Sequence, residues 1–158
     1  MDSFTYQVVD SSGTPSNFAT VSLMVNAGNQ APVCTNAAPA VELLWEAGGS
    51  LQPVTLVNIS DPEGGSVSIT FTGVMQDEPV SGTSVGDQAP DASGVGTGSL
   101  SVRAEVGVES NGRVYSISFQ AVDALGASCT GTVQVGVVPL YSEDTPFNDG
   151  TIYDSSQP

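Results

Sequence analysis

Apolar and polar residues alternate along two short segments near the start of the chain, residues 4–10 and 18–25. Such alternation predicts two β-strands, each with one apolar face. Between them, Ser11-Ser12-Gly13 supplies typical turn residues, so the two segments predict a β-hairpin. The apolar side chains on its inner side, which we name the hairpin face, are Phe4, Tyr6, Val8, Val21 and Leu23.

The same hairpin pattern recurs near the end of the chain. Residues 4–13 align without a gap on residues 117–126, and residues 20–23 match residues 132–135. A lone two-stranded hairpin is at best marginally stable in water, because it cannot bury its apolar face. We therefore expect the first copy to be completed by a missing upstream part, by another subunit or by the C-terminal tail.

The segment from residue 33 to residue 138 contains further strand patterns, separated by clusters of Gly, Pro, Asn and Asp. Strands are predicted near residues 33–35, 40–45, 53–59, 66–74, 99–106, 113–122 and 129–138. Short strands at this spacing, with no helical periodicity, predict an all-β fold built as an antiparallel β-sandwich. Its predicted core comprises Leu44, Trp45, Val54, Leu56, Ile59, Val67, Ile69, Phe71, Val102, Tyr115, Ile117, Phe119, Val133 and Val135.

The predicted organisation has four parts. They are a hairpin of an incomplete repeat (1–27), a linker (28–32), the sandwich (33–138) and an extended tail (139–158). The tail contains apolar residues, which predict that it docks on a surface; they are Tyr141, Phe147, Ile152 and Tyr153.

A long acidic segment, residues 76–98, interrupts the strand pattern and offers few apolar residues that could bury it. Loops of this length are usually functional or disordered. Calcium prefers six to eight oxygen ligands, so the carboxylates predict a calcium site, and the alternative is a solvated, mobile loop. The candidate ligands are Asp77, Glu78, Asp87 and Asp91.

The charge balance excludes several classes of function. The chain has a net charge of −15, with 17 acidic residues, two arginines, no lysine and no histidine. Such a surface repels nucleic acid and anionic lipid, and the chain lacks the residues for Ser-His, Cys-His or Schiff-base catalysis. Paired carboxylates can hydrolyse glycosides, but any acidic protein contains such pairs, so we expect no enzyme activity. Arg103 and Arg113 are expected to pair with nearby carboxylates such as Glu105 or Glu109.

Two cysteines, Cys34 and Cys129, occur far apart in the sequence. In a sandwich they fall on the first strand and at the start of the last strand, which are usually neighbours. This arrangement predicts a disulfide and an oxidising, extracellular setting, whereas the alternative is two buried thiols.

In the two hairpins, Asp10 and Asp123 precede the turns, where a side-chain hydrogen bond to turn amides is expected and calcium ligation is the alternative.

The stretches Phe4-Thr5-Tyr6-Gln7-Val8-Val9-Asp10-Ser11-Ser12-Gly13 and Val25-Asn26-Ala27-Gly28-Asn29-Gln30-Ala31-Pro32-Val33 resemble the end of one repeat and the linker to the next in cadherin-like and immunoglobulin-like tandem repeats of bacterial surface proteins. The resemblance implies an immunoglobulin-like sandwich used in extracellular stalks, adhesins or filaments, often with calcium at the linkers. Residues 33–138 resemble a related module of secreted bacterial proteins, through segments such as Asp61-Pro62-Glu63-Gly64 and Gly112-Arg113-Val114-Tyr115.

Together these features predict a non-catalytic, extracellular or cell-surface structural module whose hairpin face is covered by strands from other copies or from neighbouring repeats. Neither nucleic acid nor membrane insertion is expected. One alternative is a stalk segment of a large repeat adhesin, with residues 1–27 as the stump of an upstream domain. Another is a carbohydrate-binding module that uses Trp45 and the 76–98 loop.

Overall fold

The computed structural model describes residues 1–25, 28–45, 48–82, 87–107, 110–139 and 144–158. Every regular element in these ranges is a β-strand, which confirms the predicted all-β class. In chain order the strands are β1 (Asp2–Tyr6), β2 (Ala19–Leu23), β3 (Ala38–Pro39), β4 (Leu43–Leu44), β5 (Leu51–Val54), β6 (Leu56–Val57), β7 (Val67–Gln76), β8 (Ala92–Ser93), β9 (Leu100–Arg103), β10 (Arg113–Asp123), β11 (Ser128–Val137) and β12 (Tyr153–Asp154).

The strands form several sheets, and nearly all neighbours are antiparallel. The largest sheet has the order β12-β7-β10-β11-β4, in which only β4 runs parallel to its neighbour. A three-stranded sheet has the order β5-β9-β8, β3 pairs with β6, and β1 pairs with β2. Side chains of the two larger sheets meet in one hydrophobic cluster, so the arrangement is consistent with a β-sandwich.

The core follows the alternation along the long central strand β10, whose odd-numbered apolar residues point inward and are buried. Ile117 and Phe119 are 0% and 1% exposed, and they pack in one cluster with Leu100 and Val102 of β9. Most of the predicted core residues are buried or half-buried in this cluster. Trp45 is the exception, because it lies just after the edge strand β4 and is 63% exposed.

The strand predictions are correct for the long strands and wrong at the periphery. Residues 33–35 form no strand and contribute only an isolated bridge between Val33 and Ser60. The short strands β3, β8 and β12 were not predicted. Strand β8 lies inside the 76–98 segment and pairs with β9, so that part of the segment belongs to the sandwich.

The predicted disulfide between Cys34 and Cys129 is present, with the two Cα atoms 6.0 Å apart. It joins the segment that follows the linker to the start of β11, and both cysteines pack against the core cluster. Because the bridge spans 95 residues of sequence, it ties the two ends of the sandwich together. A disulfide is compatible with an extracellular location.

The C-terminal tail contacts the sandwich in two places. The ring of Pro146 lies against Gly112 and Gly136, so closely that a Cβ atom on either glycine would approach it to within 3 Å. Farther along, β12 pairs with the end of β7, and Ser155 is fully buried. The predicted docking of the tail is therefore on its own chain; Phe147 and Ile152 are exposed, while Tyr141 falls outside the described residues.

Candidate functional site

The two hairpins have the same cross-strand register. In the N-terminal hairpin Phe4 pairs with Val21, and in the second hairpin Ile117 pairs with Val133. The next pair on the same face, two residues farther along the first strand, matches as well, because each hairpin places an aromatic residue opposite a small one. These pairs are Tyr6 with Ala19 and Phe119 with Gly131. The sequence repeat is therefore a repeat of structure, pair by pair.

The turns of the two hairpins are also built alike. Asp10 Oδ1 accepts hydrogen bonds from the amides of Ser12 and Thr14, both at 2.8 Å. Asp123 Oδ1 accepts from the corresponding amides of Leu125 and Ala127, at 2.8 and 3.0 Å. These bonds confirm the expected turn role of both aspartates. Hydrogen bonds from the Ser12 hydroxyl and the turn amides lower the pKa of Asp10. Hydrogen bonds from the Asn29 side chain and the turn amides likewise lower the pKa of Asp123.

The hairpins differ in what covers their inner face. Phe4 and Tyr6 are 53% and 49% exposed, whereas their counterparts Ile117 and Phe119 are buried. The remaining members of the hairpin face are also accessible: Val8 and Leu23 are exposed and Val21 is half-buried. In the described residues β1 and β2 pair only with each other. The hairpin face is thus an uncovered copy of a face that is buried elsewhere in the same molecule.

The outer edges of the hairpins differ in the same way. Along the second hairpin, β7 pairs with β10 at positions from Tyr115 to Asp123. Strand β4 pairs with β11 only at Gly136 and Val137. The first hairpin has no strand at either edge in the described part of the chain. Unpaired strand edges are templates for adding another strand.

A second candidate site is the buried charge cluster, which we define by Asp91, Arg103, Glu105 and Arg113. Asp91 is fully buried, and its Oδ2 atom lies 2.7 Å from Arg113 Nη1. Its Oδ1 atom lies 3.7 Å from Arg103 Nε. Glu105 Oε1 is 3.8 Å from Arg113 Nη1, so the predicted partner Glu105 is present but is not the nearest. The other predicted partner, Glu109, falls outside the described residues.

Neutral groups complete the cluster. Gln76 Nε2 donates to Asp91 Oδ2 at 2.7 Å, and Arg103 Nη2 donates to the carbonyl of Pro90 at 3.0 Å. The hydroxyl of Tyr115 donates to the carbonyl of Arg103 at 2.8 Å, and burial raises the pKa of Tyr115. The cluster therefore holds Asp91 and Pro90, in the 76–98 segment, against β9 and β10. This finding corrects the expectation that the segment has little to bury it.

The carboxyl of Glu105 is held in its protonated form over a wide pH range. Burial, a shared hydrogen bond with Asp87 and the charge of Asp91 raise the pKa of Glu105 to about 8. Burial also raises the pKa of Asp91, while the guanidinium of Arg113 opposes that rise. The cluster has two carboxyls and two guanidiniums, and Asp87 beside Glu105 adds a third carboxyl. If all of these groups were ionised, one negative charge would be in excess, and a retained proton removes it.

The four carboxylates predicted to bind calcium have separate partners. Asp77 Oδ1 accepts from the amide of Val114 at 2.8 Å, and Glu78 Oε1 accepts from the hydroxyl of Ser110 at 2.8 Å. Asp91 faces the arginines, and Asp87 bonds Glu105. Among the described residues, which include all four, no three acidic side chains are grouped as a metal ion requires. Calcium at this segment stays a prediction.

The linker is attached to the sandwich by two side-chain amides. Asn29 Nδ2 donates to Asp123 Oδ2 at 2.7 Å, and Gln30 Nε2 donates to Glu63 Oε1 at 2.8 Å. The backbone amide of Gln30 also points at Glu63, at 3.3 Å. Sequence reasoning missed these contacts, since nothing in the linker sequence identifies its partners. Both carboxylates therefore accept hydrogen bonds from neutral amides of the linker.

Comparison of the chain with protein-family models, with curated proteins and with solved structures gives no match. Within the described ranges, no helix is long and apolar enough to cross a membrane. Function is therefore inferred from the geometry of the chain itself.

Proposed function

We propose that this chain is a non-catalytic, extracellular structural module with an immunoglobulin-like sandwich, and that it forms a surface filament or fibre by strand complementation between copies. In this mechanism a strand from one copy pairs with the N-terminal hairpin of the next and covers its hairpin face. Head-to-tail contacts of this type propagate into open filaments when the rotation between neighbouring copies does not close a ring. Backbone hydrogen bonds supply affinity, and alternate side chains supply specificity.

One observation carries the proposal: two hairpins of the same register have opposite burial. Ile117 and Phe119 are buried in the second hairpin, while Phe4 and Tyr6 are about half exposed in the first. Burying a large apolar side chain contributes about 1.5–3 kcal/mol, so covering the hairpin face would stabilise an assembly considerably. A module that keeps such a face accessible is suited to receive a partner.

Other features support a structural role. The Cys34–Cys129 disulfide and the buried charge cluster hold the sandwich together at two separate places. A net charge of −15 keeps the surface soluble, while β1 and β2 carry only one charged side chain, Asp2. Contact between copies through the hairpin is therefore less opposed by charge repulsion than contact through other surfaces.

The test compares two charged variants of the same strand. Phe4→Asp/Tyr6→Asp places charges on the hairpin face, and Ser3→Asp/Thr5→Asp places the same number on the opposite, exposed face of β1. We expect wild type and the second variant to form filaments by negative-stain electron microscopy and large species by light scattering. The first variant should stay monomeric, with the thermal transition of its sandwich unchanged.

Monomers for all three proteins would contradict the proposal and favour the alternative role, a stalk segment of a repeat adhesin in which residues 1–27 are part of an upstream domain. Filaments from all three would show that the hairpin face is not the assembly surface.

Calcium is tested in the same samples, because binding at Asp77, Glu78, Asp87 and Asp91 predicts a higher melting temperature at millimolar calcium. No change would reject the calcium prediction.

A second candidate function, carbohydrate binding, is favoured by the exposure of Trp45. An exposed indole ring is a suitable platform for the apolar face of a sugar, and Trp45 is 63% exposed beside the edge strand β4. Leu43 and Val41, which alternate with it, are also exposed. Glycan-array binding that is lost in Trp45→Ala and retained in Val41→Ala would support this function; absence of binding would reject it.

A further inference from the structure

We propose that the outer edge of the first hairpin strand, formed by β1 (Asp2–Tyr6) and by residues 7–10 that follow it, binds one antiparallel strand of another chain in the register that β7 adopts on β10. The partner strand is uncharged and has β-branched or aromatic residues at alternate positions. This inference rests on the proposed function and specifies its partner: which edge of the hairpin is used, in which direction, and by what kind of sequence.

The register is transferred from the second hairpin. On β10, Ile117 pairs with Val74, Phe119 with Phe71 and Ala121 with Ile69. The equivalent positions on the first hairpin are Phe4, Tyr6 and Val8. An incoming strand in the same register therefore places three apolar side chains opposite Phe4 and Tyr6 of β1 and opposite Val8, which follows β1.

The second hairpin also indicates which edge is used. Strand β7 accompanies β10 over its length from Tyr115 to Asp123, whereas β4 meets β11 at two residues only. The long partner therefore belongs at the β1 edge, and the β2 edge takes at most a short contact near Met24 and Val25. The binding of a strand along β1 would extend the two-stranded sheet to three, which is the size needed for independent stability.

The composition of β7 gives the chemical class of the partner. No charged side chain occurs in β7 from Val67 to Gln76, and β1 contributes only Asp2. The rest of the molecule is strongly acidic, so an acidic strand would be repelled. A neutral strand with β-branched or aromatic residues at alternate positions pairs without that cost. The β7 strand also contains a bulge at Thr72, which lets Phe71 and Gly73 face successive residues of β10.

The test uses a synthetic peptide with the sequence of residues 66–76, followed by two lysines for solubility, and a nitroxide label at its N-terminus. The full chain is labelled with nitrogen-15, and amide resonances are followed during titration. We expect saturable shifts in residues 2–10. Because the expected strand is antiparallel, the label should broaden resonances near Asp10 and leave those near Asp2 sharp. If the chain is polymeric, the peptide should release copies that give sharp resonances.

One control is a matched peptide that carries Ile69→Asp and Phe71→Asp, which should give no shifts with the wild-type chain. The other is the Phe4→Asp/Tyr6→Asp chain, which should give no shifts with the original peptide. Absence of saturable shifts, shifts centred on β2, or broadening near Asp2 would each overturn the inference. Filaments from a chain that does not bind the peptide would leave the proposed function standing and reject this partner. Peptide binding by a chain that forms no filaments would support this partner and reject the proposed function.

Discussion

Asp10 and Asp123 organise two turns through the same pair of hydrogen bonds, yet only the hairpin of Asp123 has its apolar face buried in the described structure. Each Oδ1 atom accepts from the amides two and four residues farther along the chain. Local turn chemistry therefore forms both hairpins, and tertiary packing distinguishes them. A local motif specifies a hairpin without specifying what covers it.

Substitution of the two turn aspartates should separate these contributions. Asp123→Ala removes the acceptor of two turn amides and the bond from Asn29, so we expect the melting temperature of the sandwich to fall by a few degrees. Asp10→Ala should leave that transition unchanged, because its hairpin is not part of the sandwich. Asn variants, which keep a side-chain oxygen, are the controls. Equal losses at both positions, measured by differential scanning calorimetry, would contradict this separation.

Removal of Arg113 should be among the most damaging single changes. Arg113→Met leaves the fully buried carboxylate of Asp91 without its nearest cation. The free energy of unfolding should fall by about 3–5 kcal/mol, the usual cost of breaking a buried pair. In the double variant Arg113→Met/Asp91→Asn, the amide oxygen still accepts from Gln76 and the unpaired buried carboxylate is gone, while Arg103 keeps its hydrogen bonds to the carbonyls of Gly49 and Pro90. Urea unfolding should therefore show most of the loss recovered, and additive losses would contradict the role of the pair.

The arginine pairing shows where sequence reasoning was limited. That two isolated cations in an acidic chain pair with carboxylates was predictable from composition. Their principal partner, Asp91, was not, because it lies in a segment whose sequence resembles a solvated loop. The two strands that carry Arg103 and Arg113 place a positive charge inside the fold, and only a buried carboxylate can compensate it. Such a requirement arises from tertiary structure and leaves no local pattern.

The strand predictions succeeded and failed for a similar reason. Alternation correctly identifies the residues of β7, β10 and β11 that share one face, and each of these strands has a paired neighbour along both edges, which fixes the register. At the sheet edge, alternation groups Leu43 with Trp45 but does not indicate whether their face is covered. Trp45 was therefore placed in the core by its apolarity alone, whereas the edge position leaves it exposed.

Glu105 predicts an unusual pH dependence. Its pKa is raised to about 8 in the folded chain from an ordinary value of 4.5, so the folded state retains a proton that the unfolded state releases. Between these two values, rising pH lowers the free energy of unfolding. Glu105→Gln mimics the protonated form and should remove this loss, leaving the variant more stable than wild type at pH 9. Urea unfolding at pH 5 and pH 9 measures the free energy of unfolding of both proteins. Parallel pH profiles for wild type and the variant would contradict the role of Glu105.

The disulfide should contribute strongly to stability. Because Cys34 and Cys129 are separated by 95 residues, the chain-entropy model gives about 4–5 kcal/mol for the bridge. Cys34→Ser/Cys129→Ser should therefore unfold at a markedly lower urea concentration, and wild type treated with a reductant should behave like the variant. If the reduced and oxidised proteins unfold together, the bridge does not constrain the unfolded state as argued.

Gln30 should make the linker independent of cations. Its side-chain amide donates to Glu63 Oε1 at 2.8 Å. Gln30→Asp replaces this donor with a carboxylate facing Glu63, so we expect a loss of about 0.5–1 kcal/mol in a chelator. Millimolar calcium should restore stability in this variant, because the cation then bridges the two carboxylates. Gln30→Ala, which loses the bond but adds no charge, should show no calcium rescue. Rescue of both variants would place the calcium effect elsewhere in the chain.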